Sequence, residues 1–386
     1  MKGRYTRVIC YLVLITILNS ILSCFVLRAS ANQIVLTKVG QVETGDAYDV
    51  WVDSNKDITY VSCGYSGVKV FDTSDPYEPT ELASVPSSSG GYAHQLFMRD
   101  DTMFVGDGNG GLKIINFEDE SNPVVLSQFT GNYAWDVAVV EDVAFVANGF
   151  SGIGCVLTSV NVTNLTAPEL LGSISTAGDA TDVEVMENLA FATTSYAGFT
   201  VFDITNRTNP TQVAQYVGES TSDAELGDLE IVGDLAFLSY WEKSFKVLNI
   251  SDISNIRVVS EFDESLHAFS VHIDMVRNLA FLCDVELGLL LLDIQNPSQP
   301  TEVARYSDGG KPNRIELVGN YIYMTDEENG FVILEIKQSD EPIIGLEPII
   351  LIGGLAAIVL LYVWMRKIRT SGDGAESVGT EFDIVE

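Results

Sequence analysis

The chain has 386 residues, 46% of them hydrophobic, with 54 Asp and Glu against 21 Lys and Arg and a net charge of −33. That apolar content is globular rather than disordered. An acidic surface of this size repels phosphate backbones, which argues against nucleic acid as a partner, and it suits salty or cation-rich surroundings.

Lys2, Arg4 and Arg7 precede an apolar run, VICYLVLITILNSILSCFVL, which leads to Ala29-Ser30-Ala31. This order predicts a secretory signal peptide over residues 1–31, cut before Asn32. An uncleaved signal anchor is the alternative for so long a run. Cys24 in ILSC is a weaker candidate for a lipoprotein cysteine, because its flanks fit poorly.

Residues 32–345 repeat one pattern. A short apolar strand ends in Asp72, Asn116, Asn161, Asp203, Asn249, Asp293 or Glu335, at steps of about 42 to 46 residues. Proline follows seven residues later at Pro79, Pro123, Pro168, Pro210, Pro300 and Pro342; the fifth copy has Ile256 instead. Asp and Asn side chains start turns, and proline, lacking an N–H, suits the start of an edge strand. Two more strands lie upstream in each copy, such as WDVAV and VAFVAN in the third. The hairpin into the next strand usually ends in glycine, at Gly67, Gly111, Gly152, Gly198, Gly288 and Gly330. Four short strands per unit and no helical periodicity predict the blades of a β-propeller rather than a β-solenoid. In the third copy, extra residues from Gly154 to Thr158 lengthen the hairpin or its strand.

The seventh copy lacks an outer strand. LTKVGQVETG, from Leu36, resembles the outer strand PTQVAQYVGE, from Pro210. The expectation is an all-β, seven-bladed β-propeller closed by an N-terminal strand near Ile34 to Val42, which removes an exposed edge. Strands such as LKIIN, VKVFD and LLLLD, each followed by the turn toward proline, resemble those of LVIVD-repeat proteins over essentially this whole region. The resemblance implies a propeller on a bacterial or archaeal cell surface, and the terminal segments look archaeal.

Residues 346–365 contain the apolar run Ile349 to Met365, followed by Arg366, Lys367 and Arg369. This predicts one C-terminal transmembrane helix with its basic end cytoplasmic. Residues 366–386 form a short acidic tail. The protein is thus expected in the cell membrane, single-pass, with the propeller outside. Strand direction in blade seven then puts the A–B hairpins near the bilayer, since Ile343 to Gly345 spans only about 10 Å extended. The loops between blades and the B–C hairpins point away.

Those outward loops carry Tyr65, Phe150, Tyr196, Tyr240 and Trp241, candidates for contact with a partner. Tyr48, His94, Trp135 and Phe269 share one aligned position beside the inner strand, where they either ring the channel mouth or pack between blades. Cys63, Cys155 and Cys283 lie in different repeats and are expected as buried thiols. Of the three histidines, His267 and His272 form a weak metal pair. DSNKD, Asp53 to Asp57, opens like a calcium loop but lacks its sixth-position glycine and closing glutamate, and coincides with a hairpin. DGNGG at Asp107 likewise reads as a hairpin. No metal and no cofactor are expected. Of four glycosylation sequons, Asn161 and Asn249 fall on the turn anchor, leaving Asn164 and Asn206 as the glycan candidates.

The sequence therefore points to a membrane-anchored extracellular binding or adhesion module for a protein or glycan partner. The alternatives are a carbohydrate-active surface enzyme at the channel mouth, using residues near Glu225, Asp228 or His267, and a structural component of the envelope.

Overall fold

The computed structural model describes residues 33–339 except 150–154, 177, 195–197, 218–225, 241–243 and 264–266. The signal segment, the C-terminal apolar run and the acidic tail lie outside the described residues. No helix among the described residues is long and apolar enough to cross a membrane.

Seven four-stranded antiparallel sheets follow one another along the chain. Blade one shows the plan: strand A (Asp49–Asp53), B (Ile58–Ser62), C (Val68–Asp72) and D (Thr80–Val85), each paired with the next. The other A strands are Leu96–Arg99, Tyr133–Val140, Ala180–Met186, Leu226–Val232, Ala268–Asp274 and Pro312–Val318. Neighbouring A strands touch all the way round, from blade one to two and from seven back to one, so the propeller is closed.

The closure is the expected one. The N-terminal strand Gln33–Val42 pairs antiparallel with strand C of blade seven, Gly330–Ser339. Its register repeats that of an ordinary outer strand. Thr37 faces the anchor Glu335 as Thr211 faces Asp203 and Thr80 faces Asp72. A bulge follows the anchor at the corresponding place, between Lys38 and Gly40.

Burial explains the residue pattern. B and C strands are covered on both faces by adjacent blades, so they read as nearly continuous apolar runs; D strands are mostly exposed. Seven apolar clusters hold the ring, one at each junction between adjacent blades. An aromatic residue recurs in strand B, and in three blades it stacks diagonally on one from strand C: Phe191 on Phe199, Phe237 on Phe245 and Tyr323 on Phe331, at 5.8, 6.1 and 6.3 Å.

The anchor turns work by side-chain capping. Oδ1 of Asp203 accepts from Thr205 N, and three residues on Oδ1 of Asn206 accepts from Thr208 N. Paired turns of this kind recur in blades one to six, and proline then precedes strand D wherever it is present. In blade five, where Ile256 replaces it, a 3-10 turn at Ile253–Asn255 leads into strand D. Glycine opens strand C for two reasons. Gly67, Gly111, Gly198, Gly288 and Gly330 have φ between 77° and 85°. A Cβ at Gly198 would also lie 2.3 Å from the Tyr216 carbonyl oxygen of strand D. At Gly330 the obstructing carbonyl belongs to Val42 of the closing strand, which again stands in for a D strand.

In blade three strands B and C are longer than in blade one, and the hairpin between them, with Gly154, lies outside the described residues. B runs Val143–Gly149 and C runs Cys155–Asn161, seven residues each. Cys63 and Cys283 are buried free thiols, and burial pushes both up to about 12.

Candidate binding site at the channel mouth

The innermost strand of each blade has one edge that no strand covers. Its backbone N–H groups need acceptors, because buried donors left unpaired are costly. Carboxylates from the preceding blade supply them. Oδ2 of Asp49 accepts from Leu96 N, that of Asp136 from Val183 N, that of Asp182 from Leu229 N and that of Asp228 from Val271 N, at 2.7 to 3.1 Å. Two residues along, Glu184 accepts from Ile231 N, Glu230 from Ile273 N and Glu316 from Val52 N. These bonds tie blade to blade around the channel.

The aspartate position reads Asp49, Gln95, Asp136, Asp182, Asp228, Ser270 and Arg314 from blade one to seven. Arg314 supplies the one positive charge at this position, facing four aspartates. Its Nε lies 3.3 Å from Asp49 Oδ1 and its Nη2 3.0 Å from Asp228 Oδ1. The Gln95 amide, oriented to satisfy both neighbours, accepts from Arg314 Nη1 and donates to Asp136. Burial opposes the charge on Arg314, but Asp228, Asp49, Asp182 and Asp136 outweigh it and keep the guanidinium protonated. Burial also raises the carboxylates: Asp182 to about 7, Glu184 to about 9, Glu230 and Glu316 to about 8. The Asp228 carboxyl is pushed well up by burial, against the pull of Arg314. His272, whose Nδ1 is 3.5 Å from Glu230 Oε2, is lowered by burial to about 4. This polar layer packs across the channel and holds the blades in register.

Above it, on the face of the interblade and B–C loops, aromatic rings gather over blades one to three. A bulge at the ring position leaves Trp135 without a register partner in strand B of blade three. The Trp135 and His94 rings pack with centroids 4.0 Å apart, and Tyr133 lies 5.4 Å from Trp135. His94 Nε2 is 2.7 Å from the Tyr133 hydroxyl. Burial lowers His94 to about 3, so its imidazole is neutral and Nε2 can accept. Tyr48 and Tyr92 share a 2.5 Å hydroxyl contact. Tyr65, 76% exposed, stands at 88° to Tyr92 with centroids 4.6 Å apart.

Of the sequence candidates, Tyr48, Tyr65, His94 and Trp135 therefore meet in one cluster. Phe269 occupies the same bulge in blade six, outside that cluster. Tyr240 needs correction: at 4% exposure, with Lys246 Nζ 5.1 Å from its ring centroid, it belongs to the interior and offers no surface to a partner. Phe150, Tyr196, Trp241 and Glu225 lie outside the described residues. Asp228 is 1% exposed and its two oxygens serve Val271 N and Arg314. His267 lies in the loop entering blade six, where its backbone N donates to Asp284 Oδ2. Asp53 to Asp57 form the A–B hairpin of blade one, with Asp53 Oδ1 accepting from Asn55 N and Lys56 N. DGNGG forms the B–C hairpin of blade two. No group of three or more potential metal ligands occurs among the described residues. Asn164 and Asn206 are exposed, and each Oδ1 accepts from its own sequon's threonine hydroxyl at 2.9 Å.

Tyr92 and Tyr133 were not among the sequence candidates. They sit two residues before the ring position, and their aromatic character in two adjacent blades is the signal that could have found them.

These features define a closed seven-bladed propeller of degenerate repeats, its channel crossed by a polar layer and one mouth lined by aromatics. The LVIVD repeat family model matches residues 90–130, 131–176, 177–217, 273–308 and 309–343, more than half of the chain. The chain belongs to that family. Blades one and five, which the matches leave out, have the same four strands. A search of curated proteins found no significant match. Among solved structures, 1443 chains match, so the architecture is too widely shared to specify a function. One is a chain of the "Crystal Structure of Mitotic Checkpoint Complex", with 12% identity, a TM-score of 0.59, and coverage of 80% of this chain and 93% of that one. At that identity the likeness concerns the fold alone.

Proposed function

We propose that this protein is a membrane-anchored extracellular binding module that presents its loop face to a protein or glycan partner. The observation carrying this reading is the contiguous aromatic cluster of Tyr48, Tyr65, Tyr92, His94, Tyr133 and Trp135 on one mouth of a rigid ring. Aromatic side chains present large contact areas at small entropic cost, and tyrosine and tryptophan dominate interface hot spots. The anchoring part rests on sequence: the apolar run Ile349 to Met365 and the basic residues after it. Strand C of blade seven ends at Ser339, on the A–B hairpin side of the ring, since Glu335 pairs with Tyr321 at the start of strand B. Enzymatic use of the channel finds less support, because Asp228 is committed to the polar layer.

Photocrosslinking in cells tests the reading. A photoreactive side chain at position 65 should capture one reproducible partner. The same group at position 276, where Val276 is 92% exposed in an A–B hairpin, should not. Capture from 276 alone would overturn the assignment of the binding face.

A further inference from the structure

The ligand chemistry of this mouth can be read from its charges; the inference rests on the binding-module reading above. Two acidic groups border the rings. Asp46 is exposed, accepts a long 3.5 Å bond from the Tyr92 hydroxyl, and forms no ion pair among the described residues. Glu327 is half-buried, close enough to Tyr48 and Asp46 to interact electrostatically with both. The nearby base Lys311 sits 2.9 Å from Glu328 and 4.0 Å from Glu327, so it offsets the Glu327 charge in part and shares itself with Glu328. Asp107, beneath the loops, already has Lys113 at 3.2 Å. Among the described residues beside the rings, Asp46 is thus an exposed acid with no ion pair, and Glu327 adds a charge that Lys311 offsets only in part.

Ring geometry adds direction. Tyr65 and Tyr92 meet at a right angle, and Tyr48 is inclined at 65° to Tyr92. Planes crossed in this way form a corner in which a cation can face more than one π surface. The imidazole of His94 is neutral and adds no opposing charge. The Trp135 indole edge is held against Gly149, where a Cβ would come within 2.6 Å of Nε1. An anionic ligand would be repelled here, and a neutral one would make no use of the carboxylates.

We propose that the mouth over blades one to three receives a cationic side chain, ammonium or guanidinium, from a partner protein. The rings take its faces, and Asp46 and Glu327 take its charge.

Calorimetry on the purified full-length chain at low ionic strength tests this, with tetramethylammonium, N-acetyl-lysine amide and N-acetyl-arginine amide as probes and methyl glycosides as neutral controls. At least one cationic probe should bind, with affinity falling as salt is added. Tyr65→Ala, an exposed change that leaves the core intact, should weaken it by about two- to fivefold. Glu327→Gln and Asp46→Asn should weaken it further while leaving the melting temperature near that of the native chain. Binding of glycosides alone, lost in Tyr65→Ala, would overturn the cationic assignment and leave the binding face in place. Failure of every probe, together with no crosslink from position 65, would overturn both.

Discussion

Removing the cation from the polar layer is the sharpest test of how the ring holds together. Arg314→Met keeps side-chain length and apolar bulk but deletes the charge. Asp228 Oδ1 then loses its partner at 3.0 Å, Asp49 Oδ1 loses one at 3.3 Å, and Gln95 loses its donor. Breaking a buried pair from one side costs about 3–5 kcal/mol, since the other charge stays buried and uncompensated. Against a total stability of about 5–15 kcal/mol the loss is large. It corresponds to a fall in melting temperature on the order of 5–10 °C. The assay is thermal unfolding by circular dichroism at pH 7 and pH 5. At pH 5 the stranded aspartates bind protons more readily, so the deficit should shrink. Adding Asp228→Asn to Arg314→Met should recover part of the loss at pH 7. A single variant within about 1 kcal/mol of the native chain at pH 7 would refute the view that Arg314 compensates the layer.

Four further outcomes follow from particular residues. Glu184, Glu230 and Glu316 titrate at about 8 to 9 in the folded chain, above their unfolded value near 4.5. The native state therefore holds extra protons, and stability is lost as pH rises through that range. His94 and His272, lowered to about 3 and 4, act in the opposite sense but only below about pH 6.5. Melting temperature should therefore fall between pH 6.5 and 9, and Glu184→Gln should flatten that slope; a rise over this window would contradict the assignment. Gly40→Ala would put a Cβ 2.3 Å from the Pro76 carbonyl oxygen in the blade-one turn, so it should loosen the closing strand, read as faster amide exchange over residues 33–42. Glu187 opens an A–B hairpin at φ 56°, where blades five and seven use Gly233 and Gly319, so Glu187→Gly should raise stability by roughly 0.5–1 kcal/mol in denaturant melts. Mass spectrometry of native material should find glycans on Asn164 and Asn206, the exposed sequons; finding both unmodified removes that proposal.

The ring was legible because its turns are chemically costly to alter. An Asx side chain must cap each C–D turn, proline must precede strand D, and glycine must open strand C where a Cβ would strike a carbonyl. These demands recur in nearly every blade, so spacing alone exposes them. Closure was legible for the same reason: the segment from Leu36 resembles the outer strand near Thr211, and Thr37 takes the place of Thr211 opposite the anchor.

The polar layer was not legible. In strings such as TDVEV and GDLEI, aspartate and glutamate alternate with apolar residues, as on any strand with one wet face. Only the closed ring turns that face toward six other blades and gives the carboxylates backbone donors to satisfy. Arg314 then matters because one blade breaks the aspartate pattern, a change visible in NRIEL but without meaning until its neighbours are known. The mouth lies between these cases. Alignment placed Tyr48, His94, Trp135 and Phe269 at one position. It could not separate Phe269 from the rest, because the difference lies in what adjacent blades contribute. Blades one to three add Tyr65, Tyr92 and Tyr133 around the first three residues. Beside Phe269, blades five and seven hold Gly227 and Asn313 at that position. Among the described residues the aromatic cluster therefore lies over blades one to three, and that is where the proposed cationic group would sit on an otherwise repetitive ring.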